Sequence, residues 1–140
     1  MTIEDITHVV SFKTPPSENV EIKATMFINR TSTSDVGIMA HLSDNQTLTS
    51  NGLDDKFSYS GASIFMSDDE ADDSIVEFTW VLQAADLAAI GNNNTLYLAL
   101  KTTDNPGATL TYGYSTSPAR SYGPFIMKAT ALPSSIFDGS

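Results

Sequence analysis

The sequence predicts an all-β chain, an antiparallel β-sandwich or jelly roll of about eight strands with one short helical crossover. Apolar residues recur at every second position in short segments, as they do in strands that bury one face. Turn-forming residues separate these segments at short intervals, and no long helical pattern lies between them. Serine, threonine and asparagine total 41 of the 140 residues, and branched threonine packs well on a pleated sheet.

The alternating pattern marks the strands in chain order. The clearest segment begins at Val20 and ends at Ile28, where the even-numbered residues are apolar and most odd-numbered residues are polar. This spacing places all the apolar side chains of the segment on one face of a strand. The predicted strands are residues 7–12, 20–28, 36–42, 57–66, 76–82, 96–100, 110–114 and 125–131.

Turn signals lie between the predicted strands. Asn51 and Gly52 form a dipeptide that tolerates positive φ and favours a tight turn. Pro15 and Pro16 lack the backbone N–H that a regular ladder requires. Glycine, proline and asparagine clusters mark the other connections. The predicted turns and loops are residues 14–17, 30–35, 51–52, 91–94, 104–107 and 115–124.

One segment has helical composition. Residues 83–90, with the sequence QAADLAAI, are rich in alanine and are followed by Gly91. A glycine directly after a helical segment is typical of a C-terminal cap. The sequence therefore predicts one or two helical turns that cross between two strands.

The length of the chain fits a single domain covering residues 1–140. The two ends, residues 1–5 and 134–140, are predicted to be short arms outside the sandwich. A terminal arm is commonly frayed. In a protein that assembles, an arm can instead lie along a neighbouring subunit.

The composition excludes several classes of partner. The formal net charge is −10, and the seven basic residues are scattered singly, whereas nucleic-acid binding requires clustered basic groups. Neither a nucleic acid nor a membrane is therefore expected as a partner. The chain contains no cysteine, which favours assembly in a reducing cytoplasm. Its N-terminus does not resemble a signal peptide, and no stretch approaches the roughly 18 apolar residues of a membrane span.

Residues suited to catalysis are few. His41 lies on the polar side of the predicted strand 36–42 and is expected to face solvent, and no motif surrounds His8. Glu77 alternates with apolar neighbours and is expected to point outward. No nucleophile motif, phosphate-binding loop or dinucleotide fingerprint is present. We therefore expect neither enzymatic activity nor a cofactor.

The densest charge lies in residues 67–74. Asp68, Asp69, Asp72 and Asp73 are candidate calcium ligands, because Ca²⁺ binds several carboxylate oxygens from one flexible loop. The segment lacks the central glycine and the terminal glutamate of an EF-hand loop. A solvated acidic hairpin tip is the preferred interpretation, and no metal is predicted.

Aromatic residues cluster towards the C-terminal end. Tyr112 and Tyr114 continue the alternation of a predicted strand and are expected to be core residues. Tyr122 and Arg120 lie in the predicted loop 115–124. They are the candidate interaction residues, because tyrosine and arginine are enriched in binding hot spots.

In its size, its lack of cysteine, its Thr/Ser/Asn-rich strands and its arms, the chain resembles small β-rich structural proteins of tailed phages, such as head-decoration (cement) proteins and fibre domains. The resemblance carries over no functional residue. It implies a homo-oligomer located in the virion on other capsid subunits, where it stabilises the assembled shell. The alternative is a carbohydrate- or receptor-binding β-sandwich module, such as a fibre tip.

Overall fold

The computed structural model describes residues 3–4, 8–30, 36–44, 62–66, 73–103, 110–112, 114–116, 119–121 and 125–134, with side chains in 8–26, 40–44, 75–98 and 125–134. These ranges contain eleven strand segments and one 3-10 turn, Ala84–Asp86. The strands are β1 (Ile3–Glu4), β2 (Val9–Lys13), β3 (Val20–Arg30), β4 (Val36–Ser43), β5 (Ala62–Met66), β6 (Asp73–Leu82), β7 (Asn93–Thr103), β8 (Leu110–Tyr112), β9 (Tyr114–Thr116), β10 (Ala119–Ser121) and β11 (Ile126–Ala131).

The strands form two antiparallel sheets and a separate hairpin. In sheet A, β7 pairs with β1 and β2 on one side and with β4 on the other, and β5 follows β4. In sheet B, β3 pairs with β6 on one side and with β8 and β11 on the other. The strands β9 and β10 pair only with each other among the described residues. The predicted all-β class with antiparallel pairing is confirmed.

Three strand pairs are nested around one point of the chain. In β4–β5, Val36 pairs with Met66, and in β3–β6, Val20 pairs with Leu82, so both pairs are centred on position 51. The β2–β7 register is centred two residues further along. Successive pairs lie in sheet A, sheet B and sheet A. Between β2 and β7, the described strands are therefore paired in nested order, and successive pairs alternate between the two sheets.

One hydrophobic cluster joins the two sheets. Phe78 and Trp80 of β6 are its largest side chains, and their ring centroids lie 6.2 Å apart. Burying each large apolar side chain stabilises the fold by roughly 1.5–3 kcal/mol. The cluster combines residues of β3, β4, β6 and β7, so the sheets pack face to face as a sandwich. Its buried members are Val20, Ile22, Ala24, Met26, Ala40, Leu42, Val76, Phe78, Trp80, Leu82, Leu96 and Leu98.

The predicted helical crossover is wrong in its conformation. Residues 83–92 do join β6 of sheet B to β7 of sheet A, but they contain only the single 3-10 turn. Ala88 donates its N–H to Asn94 Oδ1 at 2.8 Å, and its carbonyl accepts from Thr14 Oγ1 at 2.9 Å. These backbone groups are therefore satisfied by the side chains of Asn94, six residues away, and of Thr14, which is distant in sequence, and these contacts replace the hydrogen bonds of a helix.

Gly91 closes a turn and does not cap a helix. The Asn92 N–H donates to the Ala89 carbonyl at 2.9 Å, and Gly91, at the third position of this turn, has a φ of 82°. A positive φ at that position is the requirement of a type II turn, which glycine meets without steric strain. The Gly91 N–H also donates to the Thr14 carbonyl at 2.9 Å, which ties the turn to the end of β2.

The predicted loop 115–124 is wrong in its described part, because residues 115–116 and 119–121 lie in two paired strands. Thr116 pairs with Ala119, and Tyr114 pairs with Ser121. Proline lacks the backbone N–H that a ladder requires, and in the sequence Pro118 falls between β9 and β10, outside the described residues.

The described residues test only some of the predictions made for the chain ends and turns. Residues 14–17 do form a turn, in which the Glu18 N–H donates to the Pro15 carbonyl at 3.0 Å. Within the predicted N-terminal arm, Ile3 and Glu4 pair with β7. None of the described residues belongs to a helix that is long and apolar enough to cross a membrane. The following predicted segments lie outside the described residues: 31–35, 51–52, 104–107 and 135–140.

Candidate interaction surface

The outer face of sheet B is open to solvent. It is formed by the residues of β3, β6 and β11 that alternate with the buried ones, and we call it the open face. Three large aliphatic side chains are exposed on it, Ile75 by 76%, Ile126 by 50% and Val81 by 45%. The members of the open face are Glu21, Lys23, Thr25, Ile75, Glu77, Thr79, Val81, Ile126, Lys128 and Thr130.

Charges on the open face balance one another. Lys23 Nζ lies 3.5 Å from Glu77 Oε1 and 3.9 Å from Glu21 Oε1, and Thr25 Oγ1 donates to Glu77 Oε2 at 3.2 Å. With Lys128, the ten named members of the open face include two lysines and two glutamates and together carry no net charge, although the chain has a net charge of −10. Exposed ion pairs of this kind stabilise a fold by only about 0–1 kcal/mol. The prediction that Glu77 points outward is confirmed.

The outer face of sheet A is covered where β4 crosses it. His41 is 5% exposed and Ser43 is 3% exposed, although both alternate with the core residues Ala40 and Leu42. The predicted solvent exposure of His41 is therefore wrong. Alternation determines the side of a sheet to which a residue belongs, but segments that are distant in sequence determine whether that side meets water.

His8 links the two sheets at one end of the sandwich. Its ring stacks on Phe125 with centroids 3.8 Å apart and an interplanar angle of 15°. Its carbonyl accepts from the Leu98 N–H at 2.9 Å, which extends the β2–β7 ladder. His8 therefore has a packing role in this structure.

A polar groove lies beside the crossover between β6 and β7. The groove has a volume of about 410 Å³ and opens to solvent, and its lining includes Asp44, Asp86, Asn93, Asn94 and Thr95. Asn94 Nδ2 donates to the Thr14 hydroxyl at 2.8 Å, so this amide already links the start of β7 to the end of β2. Among the residues that the structure describes, no group of three or more His, Asp or Glu side chains is placed to hold a metal ion.

The acidic segment connects the two sheets. Its flanking strands, β5 of sheet A and β6 of sheet B, do not pair with each other. Residues 67–72 themselves lie outside the described residues, so the solvated acidic tip stays a prediction. Asp73 is the first residue of β6 and pairs with Asn29. The other candidate calcium ligands lie outside the described residues: Asp68, Asp69 and Asp72.

The predicted aromatic and arginine site is only partly described. Arg120 lies in β10, where its backbone pairs with Ser115. Tyr112 ends β8 and Tyr114 begins β9. The side chains of these residues, and all of Tyr122, are outside the described part of the chain. The assignments of Tyr112 and Tyr114 to the core and of Arg120 and Tyr122 to an interaction site stay predictions.

The open face was not identified from the sequence, although the sequence contains a signal for it. Ile75 and Val81 occupy odd positions of a strand whose even positions are core residues. Aliphatic residues on the polar side of a strand mark surfaces that can bury area against a partner.

Comparison with known proteins supplies no family: no family model matches the chain, and no curated protein or solved structure has significant similarity to it. At the level of class, the chain is an all-β, sandwich-like protein of two antiparallel sheets.

Proposed function

We propose that this chain is a non-enzymatic structural protein of a virus or phage particle, a capsid decoration (cement) subunit that stabilises the assembled shell. Its partners are other capsid subunits and further copies of itself. The observation that carries the proposal is the nested order of the strand pairs β4–β5, β3–β6 and β2–β7.

This order supports a jelly roll as the fold. In a jelly roll, one antiparallel ribbon wraps so that successive strand pairs fall alternately in two sheets. The order β2, β7, β4, β5 in one sheet and β11, β3, β6 in the other agrees with such wrapping. A complete eight-stranded jelly roll would add one strand beside β11, where the described residues contain none. Jelly rolls are characteristic of viral capsid and lectin domains.

The open face supports a structural role on this fold. A fold alone does not determine function, so the surface must distinguish the uses of a jelly roll. The open face combines exposed aliphatic side chains with balanced charge, and it follows three adjacent strands of one sheet. Such a surface can bury area against neighbouring subunits while its named members add no net charge to the contact.

Shell stabilisation then follows from mass action. A subunit that binds only where assembled neighbours form the site shifts the equilibrium towards the assembled state. Apolar area buried at the contact contributes about 25 cal/mol per Å² before the entropic costs of association are subtracted. No chemical step is involved, so the activity of the protein is its occupancy of the shell.

A carbohydrate-binding module is the second candidate, and the polar groove favours it. Carboxylate, amide and hydroxyl groups of Asp44, Asn93 and Thr95 line this groove, and such groups hydrogen-bond sugar hydroxyls. It ranks second because the lining contains no aromatic ring on which a sugar could stack. Glycan-array hits that are lost in Asn93→Ala or Tyr122→Ala variants would promote it over the structural role.

The structural proposal predicts that the protein is a stoichiometric component of purified particles. Mass spectrometry of the particles should detect it at a fixed copy number, and cryo-electron microscopy should place it at symmetric positions on the shell. Its absence from every particle fraction of the source would refute the proposal.

Matched variants test the contact surface. Ile126 on the open face is 50% exposed and Val9 of sheet A is 47% exposed, so the same change is compared at equal exposure. Ile126→Asp should lower binding to shells that lack the protein, whereas Val9→Asp should bind like the unmodified chain. Equal binding of the two variants would exclude the open face as the contact.

A further inference from the structure

Sheet B ends at a long strand edge. In the part of the chain that the structure describes, β6 pairs with β3 and with no other strand. The strand spans ten residues, Asp73–Leu82, and its outer edge is a row of backbone N–H and C=O groups. Natural proteins commonly protect such an edge with proline, lysine, a bulge or a short strand. The sequence DSIVEFTWVL contains neither proline nor lysine.

We infer that the edge of β6 is the site at which two copies of this chain associate, by antiparallel pairing of β6 with the same strand of the second copy. This contact is isologous, as in most homodimers, and it continues sheet B through the two-fold axis. The inference deepens the proposed function by naming the contact between copies, and it rests on the homo-oligomeric part of that proposal.

The side chains of β6 select one register for this pairing. When the two-fold axis passes beside Phe78, Ile75 faces Val81 of the second copy, and Glu77 faces Thr79. Two exposed aliphatic side chains, 76% and 45% exposed in the single chain, then cover each other. Cross-strand pairs of β-branched residues are favourable on a sheet surface.

Neighbouring registers are worse. An axis beside Glu77 places two glutamates directly opposite, which is destabilising. An axis beside Thr79 places Glu77 opposite Val81, where the carboxylate has no donor across the interface. In the favoured register, Glu77 faces a threonine hydroxyl, and the structure already has such a contact, because Thr25 Oγ1 donates to Glu77 Oε2 at 3.2 Å.

Charge balance also favours a second copy at this edge. Two chains of net charge −10 repel each other over most of their surfaces. Beside the edge, Lys23 lies 3.5 Å from Glu77 and offsets the strand's central acid. The pairing would also join two open faces into one continuous surface that is twice as wide.

Disulfide trapping tests the register, because the chain has no cysteine of its own. The variants Glu77→Cys and Thr79→Cys are each oxidised alone and as an equimolar mixture. The inference predicts a disulfide between the two variants in the mixture and little homodimer from either alone, since paired strand positions have the Cα separation that a disulfide requires. Efficient cross-linking of one variant alone, or no cross-linking in the mixture, would overturn it.

Sedimentation of matched variants tests the edge itself. Val81→Lys puts a charge opposite Ile75 of the second copy, and Ile126→Lys puts the same charge on β11, away from the edge. We expect the dimer dissociation constant to rise at least tenfold for Val81→Lys and to stay within twofold for Ile126→Lys. Equal effects of the two variants, or a strictly monomeric unmodified chain, would overturn the inference.

Different results would refute the β6 contact and the proposed structural function. A chain that occupies particles but remains monomeric and uncross-linked refutes the β6 contact and leaves shell binding in place. A chain that cross-links between positions 77 and 79 but occurs in no particle supports the contact and refutes the structural function.

Discussion

The outer faces of the two sheets follow the same alternation but differ in burial. On β4 of sheet A, His41 and Ser43 are 5% and 3% exposed, whereas on β6 of sheet B, Ile75 and Val81 are 76% and 45% exposed. The polar residues are therefore covered and the aliphatic ones are open, which is the reverse of what residue type alone would suggest. The outer face of sheet A is therefore covered at His41 and Ser43 of β4, whereas Ile75 and Val81 on sheet B stay accessible to the partner that we propose.

The largest difference in the free energy of unfolding is expected between substitutions of a buried and of an exposed side chain of β6. Phe78 is fully buried, so Phe78→Ala should lower the free energy of unfolding by about 3–5 kcal/mol through lost burial and an internal cavity. Val81→Ala on the open face should change it by less than about 0.5 kcal/mol. Chemical denaturation of both variants measures the difference, and equal values would contradict the assignment of the faces.

The same substitution on both outer faces tests the comparison directly. Ser43→Lys forces an ammonium group into a covered position and should cost about 2 kcal/mol or more. Thr79→Lys adds the charge to the open face and should remain within about 0.5 kcal/mol of the unmodified chain. Thermal and urea unfolding at low protein concentration provide the comparison. A mild effect at Ser43 would mean that β4 is not covered in solution.

A smaller loss of stability is expected at Thr14, which links the end of β2 to the crossover between β6 and β7. Thr14 is 2% exposed; its hydroxyl donates to the Ala88 carbonyl and accepts from Asn94. Thr14→Val keeps the shape but leaves these partners unsatisfied, at an expected cost of about 1–3 kcal/mol. Ser11→Ala removes an exposed hydrogen bond to Thr95 and is the matched control, with a loss below about 0.5 kcal/mol. Similar losses in the two variants would refute the claim that the hydrogen bonds of Thr14 stabilise the fold.

The smallest effect is expected for the ion pairs of the open face. Lys23→Ala removes contacts to Glu77 and Glu21 and should lower stability by less than about 1 kcal/mol, because solvent screens exposed pairs. The loss should shrink further as the salt concentration rises to about 1 M, where the Debye length is near 3 Å. A large effect that is independent of salt would show that Lys23 contributes mainly through packing.

The sequence predicts the strands of the core well because their evidence is local. The even-numbered residues from Val20 to Met26 in β3 and from Val76 to Leu82 in β6 are buried, as the two-residue period requires. The sequence contains no comparable local signal for which strands pair with each other. The nested order of the strand pairs therefore became visible only in the registers of the structure.

The two mistaken segments show where local evidence misleads. Residues 83–90 are rich in alanine, but Asn94 and Thr14, which are distant in sequence from one another, bind the backbone of Ala88. Residues 115–124 contain Pro118, which in the sequence falls between the paired strands β9 and β10 and therefore does not exclude a hairpin. Tertiary contacts and position within a turn outweigh composition in both segments.

The interaction surface could be predicted less well than the fold. Arg120 and Tyr122 were chosen because of their residue types, whereas the open face depends on which side of a sheet the rest of the chain leaves uncovered. That property depends on the tertiary arrangement, and the burial of His41 and Ser43 at alternating outer positions shows that local alternation does not reveal it.

The labelling rate of single cysteines tests the contrast between the faces most directly. Ser43→Cys and Thr79→Cys are compared in the native state with a maleimide reagent, against their rates in denaturant. In dilute protein, Thr79→Cys should react at close to its unfolded rate and Ser43→Cys at least tenfold more slowly. Comparable native rates at the two positions would contradict the claim that one outer face is covered and the other is open.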